Sequence, residues 1–395
     1  MVSVKEIKSI VDRDRSYLLE LLEKIVNIDS GTEDKEGVDA LGDLLAEEIR
    51  GLGFQVNVIK EESLGNHLIA HNVPSERPKV LLVGHMDTVY PRGTAKKRPF
   101  TMRNGKAFGP GVLDMKGGIV VMIAALRALR DAGSRVLKDT SITIFLNSDE
   151  EILSPSSMHM IDAEASTSDL AVVFEPARPG GGYVRSRWGV ARCLVKVYGR
   201  AGHAGWVSSG VAAGSAIHEL VRRISEVLGY AEKRGDVLLN VGVVRGGERF
   251  NVVAPYAEAE IGVRSPSLES LKRAVSDMNN IFARVQDIEG VRTEFHVMSM
   301  WPPLIETERN RDALKHFERA ANELGRSLGV EDTSGASDAN HISQYTAVVD
   351  GAGAVGGNPH SPDEYIDIDR TLERAVITAR ALEIYYEHAK EMVRG

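Results

Sequence analysis

The chain has a single cysteine, Cys193. That excludes an internal disulfide, and the apolar neighbours in "VARCLVKVYG" read as a strand that buries the thiol. A long apolar run is also missing. The opening stretch, "MVSVKEIKSIVDRDRSYLLELLEKIVNIDS", has charges every few residues and lacks the apolar centre of a signal peptide or membrane span, so a cytoplasmic protein with no membrane partner is expected. There is no surplus of basic charge. The formal net charge is -8 and acids alternate with bases, which leaves no electrostatic footprint for nucleic acid or an anionic bilayer. Internal repeats and low-complexity tracts are absent, which sets solenoids and arrays aside.

The composition is that of a globular protein, 43% hydrophobic and 26% charged, and 395 residues suffice for two domains with sizeable cores. Residues 15–28 and 36–53 show helical apolar spacing, with Gly51 and Gly53 as stop signals. "KVLLVGHMD", "SITIFLNSDEE" and "DLAVVFEPA" are apolar runs of strand length that end in polar residues. "GGIVVMIAALRALRDAG" and a polar segment at 157–168 read as helices between them. Wholly apolar strands alternating with helices predict an α/β/α layer with a mostly parallel sheet. From about 183 to 297 the texture shifts to period-2 alternation, as in "APYAEAEIGVR", around the amphipathic "AGSAIHELVRRISEVLG". This predicts an inserted α+β domain, two helices on an antiparallel sheet in a ferredoxin-like arrangement. The expected partition is 1–183, 184–297 and 298–395, with a terminal helix at 371–391.

Open α/β sheets place ligands at the carboxyl ends of their strands. His85 and Asp87 follow "VLLVG", Asp114 lies in "GPGVLDMKGG", Glu150 and Glu151 follow "TIFLNSD", and Glu175 follows "AVVF". Carboxylates converging on one edge repel unless cations neutralise them, and imidazole with carboxylate oxygen suits Zn²⁺, or less selectively Mn²⁺ or Co²⁺. Adjacent residues on a strand point to opposite sides, so Glu150 and Glu151 are expected to have different tasks.

Together with "GRAGHAG" at His203 and "NPHSPDEYID" at His360, these motifs resemble the M20 metallopeptidases, nearest the glutamate carboxypeptidase-like branch. The resemblance covers nearly the whole chain, including the spacing of 29 residues from His85 to Asp114 and 24 from Glu151 to Glu175. It implies two divalent ions, zinc first and Co²⁺ or Mn²⁺ as alternatives, bridged by Asp114. His85 and Glu175 would hold one ion, Glu151 and His360 the other. Asp87 would orient His85, and Glu150 would be the general base. By the same resemblance the inserted domain is a lid through which two copies form a homodimer. Its His203 would stabilise the oxyanion, and its Asn251 and Arg264 would recognise a substrate carboxylate. The "SGASDA" loop at 334–339 would line the specificity pocket, while Asp149 has no assigned part. The implied reaction is hydrolysis of an amide bond beside a free carboxylate, as in carboxypeptidases and dipeptidases. Deacylation of N-acyl amino acids, as in acetylornithine deacetylases and succinyl-diaminopimelate desuccinylases, is the alternative, and a non-catalytic binding relative a remote one.

The sequence departs from the family at Ala254, at Gly262 before Arg264, and at Trp301-Pro302, where glutamate-specific members tend to carry Arg-Pro. An aromatic there favours apolar or amphipathic substrate groups over acidic ones. A dinucleotide fingerprint is satisfied in letters by "GAGAVG" at 351–356. The two prolines that follow in "GNPHSPDE" argue against the helix that such a fingerprint must open.

Overall fold

Lys79–His85, Ser141–Asn147 and Leu170–Val173 are buried along nearly their whole length, as expected of strands covered on both faces. In the computed structural model, which describes residues 1–72, 78–205, 213–284 and 288–394, they run parallel with Lys79–His85 in the centre. Ala347–Asp350 joins in parallel beside Leu170–Val173. The sheet extends on one flank through His67–His71 and Gln55–Ile59, each antiparallel to its inner neighbour, and on the other through Tyr183–Arg187, antiparallel to Ala347–Asp350, and then Val330–Thr333, giving eight strands.

Parallel neighbours need crossover connections, and helices supply them. Gly117–Asp131 is apolar on almost every side and packs against the terminal helix Ile368–Arg394. Its entry is tight: a Cβ on Gly118 would stand 2.0 Å from the carbonyl oxygen of Phe174, so glycine is needed for the helix to approach the strand end that carries Glu175. A second, four-stranded sheet joins Thr101–Arg103, Lys106–Phe108, Tyr365–Asp367 and Gly356–Gly357. The loop carrying His360 lies between the last two.

Internal contacts divide the chain into two units. One comprises Met1–Ser186, Ile305–Asp332 and Ser337–Gly395; the other comprises Arg187–Leu304 and Thr333–Ala336. Within the second unit, strands Gly189–Tyr198, Leu238–Gly246, Tyr256–Ser265 and Arg292–Trp301 pair antiparallel, and helices Ala216–Glu232 and Leu268–Ala283 pack on the sheet. The order β-α-β-β-α-β is ferredoxin-like. Alternate residues Ala191, Cys193, Val195 and Val197 point into its core. Burial pushes the Cys193 thiol up to about 12, which leaves it a packing group.

Two local expectations change, and a third holds. The strand from Ser141 stops at Asn147, and Glu150–Ile152 is a 3₁₀ turn, so strand alternation cannot be what separates Glu150 from Glu151. Trp301 is fully buried and offers no ring face to a substrate pocket. Gly356 begins a strand paired with Tyr365–Asp367 and not a helix, in line with the expectation that "GAGAVG" is no dinucleotide fingerprint. Among the described residues, no helix is long and apolar enough to cross a membrane.

Candidate metal centre

Four backbone features converge at the carboxyl edge of the parallel strands. His85 is the last residue of Lys79–His85, and Glu150 and Glu151 sit in the turn after Ser141–Asn147. Glu175 follows Leu170–Val173, and Asp114 precedes Gly117–Asp131. Leu153 and Ser154 close the turn with φ of 72° and 47°, which reverses the chain sharply behind Glu150. His360 also has positive φ, 58°. A left-handed conformation is costly for a non-glycine residue and persists only where surrounding contacts hold it.

Asp114 lies between two imidazoles. Its Oδ1 is 3.3 Å from His85 Nε2, and its Oδ2 is 3.2 Å from His360 Nε2. His85 Nε2 is also 3.6 Å from Glu175 Oε1 and 4.0 Å from Glu150 Oε2, while His360 Nε2 is 3.5 Å from Glu151 Oε2. Two triplets, His85 with Asp114 and Glu151, and His85 with Glu150 and Glu175, offer ligand atoms within 4.8 Å of one another.

The residues fit a divalent cation. Two ligand atoms each about 2.0–2.1 Å from a tetrahedral ion stand roughly 3.3 Å apart, the separation seen between the imidazole nitrogens and Asp114. Glu151 Oε1 is buried and has no hydrogen-bond partner among the described residues. An atom so placed costs free energy unless something cationic meets it. The protonation balance agrees. Burial pushes Glu150 well above the ordinary carboxylate range, and neighbouring Glu175 adds to the rise. Burial raises Glu151 against the opposing pull of His360. For Asp114, burial works upward, but hydrogen bonds from His360 and His85 hold it below its usual value. Asp114 and Glu151 in turn push His360 up to about 10. Protein groups alone neutralise this cluster by retaining protons, which a bound cation would displace.

Asp87 does more than orient an imidazole. The His85 Nδ1 contact at 2.9 Å is to the backbone oxygen of Asp87, and the Asp87 carboxylate is 3.4 Å away. The carboxylate instead accepts from the backbone N–H groups of Glu150 and Glu151, both at 3.2 Å, and from Thr32 Oγ1 at 2.7 Å. Fully buried, Asp87 tethers the turn that carries both glutamates. Asp149 accepts from the N–H and hydroxyl groups of Ser156 and Ser157, at the start of helix Met158–Thr167. That is a capping task, directed away from the cluster.

The other predicted residues belong to the second unit. His203 forms an antiparallel bridge with Val252, and Ala204 N–H donates to Asn251 O at 3.0 Å, so His203 and Asn251 sit on paired segments. His203 is an exposed residue whose Nδ1 accepts from Gly205 N–H at 3.2 Å, the arrangement of the tautomer protonated on Nε2. Arg264 Nη1 donates to Ser334 O at 3.0 Å within the "SGASDA" loop.

Three residues went unread in the sequence. Asp338 accepts from Asn147 Nδ2 at 2.9 Å, Ser154 Oγ at 2.7 Å and His341 Nε2 at 3.0 Å, tying the 337–342 segment to the Glu150 turn. His341 Nδ1 meets Asp162 at 2.5 Å. Glu364, fully buried, binds backbone near Asp114. Asp338 lies within "SGASDA" and Glu364 within "NPHSPDEYID", but partners far along the chain give neither a local signal.

A mostly parallel α/β sheet with imidazoles and carboxylates gathered at its carboxyl edge has the donor groups of a metal-dependent enzyme. The chain belongs to the peptidase family M20/M25/M40, whose model matches residues 81–384. It is 30% identical over 376 residues to carboxypeptidase G2 of Pseudomonas sp. (strain RS-16), covering 93% of this chain and 89% of that protein. It is 26% identical to the N-acetyl-L-citrulline deacetylase of Xanthomonas campestris pv. campestris, over 87% and 88% of the two chains. The fold matches human carnosine dipeptidase 1 with a TM-score of 0.75 at 15% identity, over 96% and 99% of the chains. With these relatives, the chain is a metal-dependent amide hydrolase.

Proposed function

We propose that the chain is a two-metal hydrolase that cleaves an amide bond next to a free carboxylate, in short peptides cut from the C-terminal end. The observation that carries this reading is the division of Asp114 between two imidazoles, one oxygen to each. His85 and Glu175 would hold one ion, His360 and Glu151 the other, and Asp114 both. Zinc suits the donor set best, with Co²⁺ or Mn²⁺ as substitutes. When bound, such ions make water more acidic and polarise a carbonyl.

The protein's own groups supply the rest. Glu150 is the general base: it accepts the proton of the attacking water and passes it to the leaving nitrogen. Its burial, and a basicity raised by that burial and by Glu175, support the role. Asp87 keeps Glu150 in place through the turn amides. His203 holds the developing oxyanion, a role supported by an Nδ1 that accepts from Gly205 N–H and so leaves the ring proton to Nε2. Asn251 and Arg264 recognise the substrate carboxylate, for which a guanidinium is geometrically suited.

Deacylation of an N-acyl amino acid uses the same machinery, and similarity to a deacetylase keeps it as the second reading. A homodimer through the second unit belongs to the proposal. It is supported by exposed Leu238, Val244, Val297 and Met298 on the edge strands of that sheet. A cytoplasmic location is proposed as well, in keeping with a lone thiol that forms no disulfide. Hydrolysis assays with added Zn²⁺, Mn²⁺ or Co²⁺ against dipeptides, N-acetyl and N-succinyl amino acids test the reading. Turnover of the dipeptides would support it, turnover confined to the acylated compounds would favour the deacylase, and none in any arm would sink both.

A further inference from the structure

We propose that Glu364 is a positioning residue that holds the backbone of Asp114 in register with His360, and so sets the affinity of the centre for its metal. The inference rests on the two-metal reading but concerns a residue which takes no part as a ligand there. The Glu364 carboxylate spends both oxygens on one target. Oε1 accepts from Leu113 N–H at 2.8 Å and Asp114 N–H at 3.0 Å; Oε2 accepts from Gly111 N–H at 3.1 Å and Tyr90 O–H at 2.6 Å.

Those amides need an outside acceptor. The segment from Gly111 to Lys116 is irregular, with φ of 71° at Gly111 and non-helical angles at Asp114 and Met115, so regular helical bonding cannot serve the chain leading to Asp114. A buried carboxylate that accepts three backbone N–H groups recovers in hydrogen bonds much of what its desolvation costs. The same carboxylate is bound to the other side of the centre by the chain itself. His360 lies four residues before Glu364. Between them, Ser361 O accepts from Arg98 Nη1 at 3.2 Å and lies 2.9 Å from the Tyr90 hydroxyl, whose single proton it shares with Glu364. Glu364 therefore joins two loops whose side chains, Asp114 and His360, meet at 3.2 Å. A ligand pair on irregular backbone keeps its spacing only if something fixes both loops, and outer partners of metal ligands act in this way.

The test compares full-length wild type, Glu364→Gln and Tyr90→Phe, dialysed against chelator-buffered free Zn²⁺ across a concentration series, with bound zinc measured directly and activity measured in parallel. In Glu364→Gln the amide nitrogen faces donors where an oxygen accepted them. Zinc affinity should fall by about 10–100-fold, and kcat should return to within a few-fold of wild type once zinc saturates. Tyr90→Phe removes one of the four bonds and should weaken zinc binding by a smaller factor, in the same direction. Zinc binding equal to wild type in Glu364→Gln, whatever its thermal stability, would overturn the assignment. If Glu364→Gln does not fold, unchanged zinc affinity in Tyr90→Phe would overturn it. A wild-type protein that takes up no zinc, Co²⁺ or Mn²⁺ would instead sink the two-metal reading itself.

Discussion

His85 and His360 approach the same carboxylate from opposite settings. His85 closes a strand with neighbours on both sides, and its side chain is 1% exposed; His360 sits on a loop with positive φ and is 49% exposed. The first is placed by sheet register, which a buried parallel strand specifies strongly. The second is placed by tertiary hydrogen bonds around Ser361 and Glu364. One arm of the centre is thus built into the core of the fold, and the other is fastened to it.

The largest expected effect lies in the buried arm and touches no proposed ligand. Glu150→Gln keeps the shape of the side chain and removes its capacity to accept a proton. Turnover should drop by about 10²–10⁴-fold with bound metal unchanged. Metal content and kcat on the same preparation check this; unaltered turnover with metal retained would disqualify Glu150 as base.

Removing each imidazole asks which arm is stronger. His85→Ala leaves Asp114, Glu150 and Glu175 crowded in a buried site without their cationic neighbour, so zinc affinity should fall by more than the ~10–100-fold typical of an outer partner. His360→Ala opens a position near solvent, where water can take the vacated place, and the loss should be smaller. Zinc titrations of the two variants decide it, and a greater loss for His360→Ala would reverse the ranking of the arms.

The apolar strands Lys79–His85, Ser141–Asn147 and Leu170–Val173 were legible because burial on both faces leaves a local signature in composition. The residues at their ends were legible because strand ends are where an α/β sheet meets a ligand. What stayed hidden was long-range. Glu364 meets Gly111 across 253 residues, and no local pattern announces such a pairing. The 3₁₀ turn at Glu150–Ile152 was read as strand because three acids after an apolar run carry no turn signal of their own. Asp87 was read through its neighbour His85, although its carboxylate serves the turn across the sheet edge. The helix Val4–Arg13 is largely charged, and its apolar stripe is narrow enough to escape a reading that began at residue 15.

Asp87 also separates two kinds of support. Asp87→Asn replaces one acceptor oxygen with a donor facing the amides of Glu150 and Glu151 or the Thr32 hydroxyl. Activity should fall by about 10–100-fold. Because the displaced group includes Glu150, the proposed base, excess zinc should not restore kcat, in contrast to Glu364→Gln. Full recovery at saturating zinc would place Asp87 with the ligand supports.

The smallest effect concerns what stands behind the buried arm. Burial alone would lower the His341 imidazole, but Asp162 and Asp338 raise it to about 9 from an ordinary value of 6.5. A group whose folded pKa lies above its unfolded one adds stability that is complete below about pH 6.5 and is lost as pH rises through about 9. The contribution is on the order of 3 kcal/mol, an upper figure for one buried group, and in a chain of this size it amounts to a few degrees of Tm. Since Asp338 holds both Asn147 and Ser154, alkaline loosening should reach the Glu150 turn before the His360 loop. Thermal unfolding between pH 6 and pH 10 should show a decline in wild type that is shallower in His341→Gln. Parallel slopes in the two proteins would mean that the imidazole is not the titrating support, and that the buried arm holds its position through packing and sheet register instead.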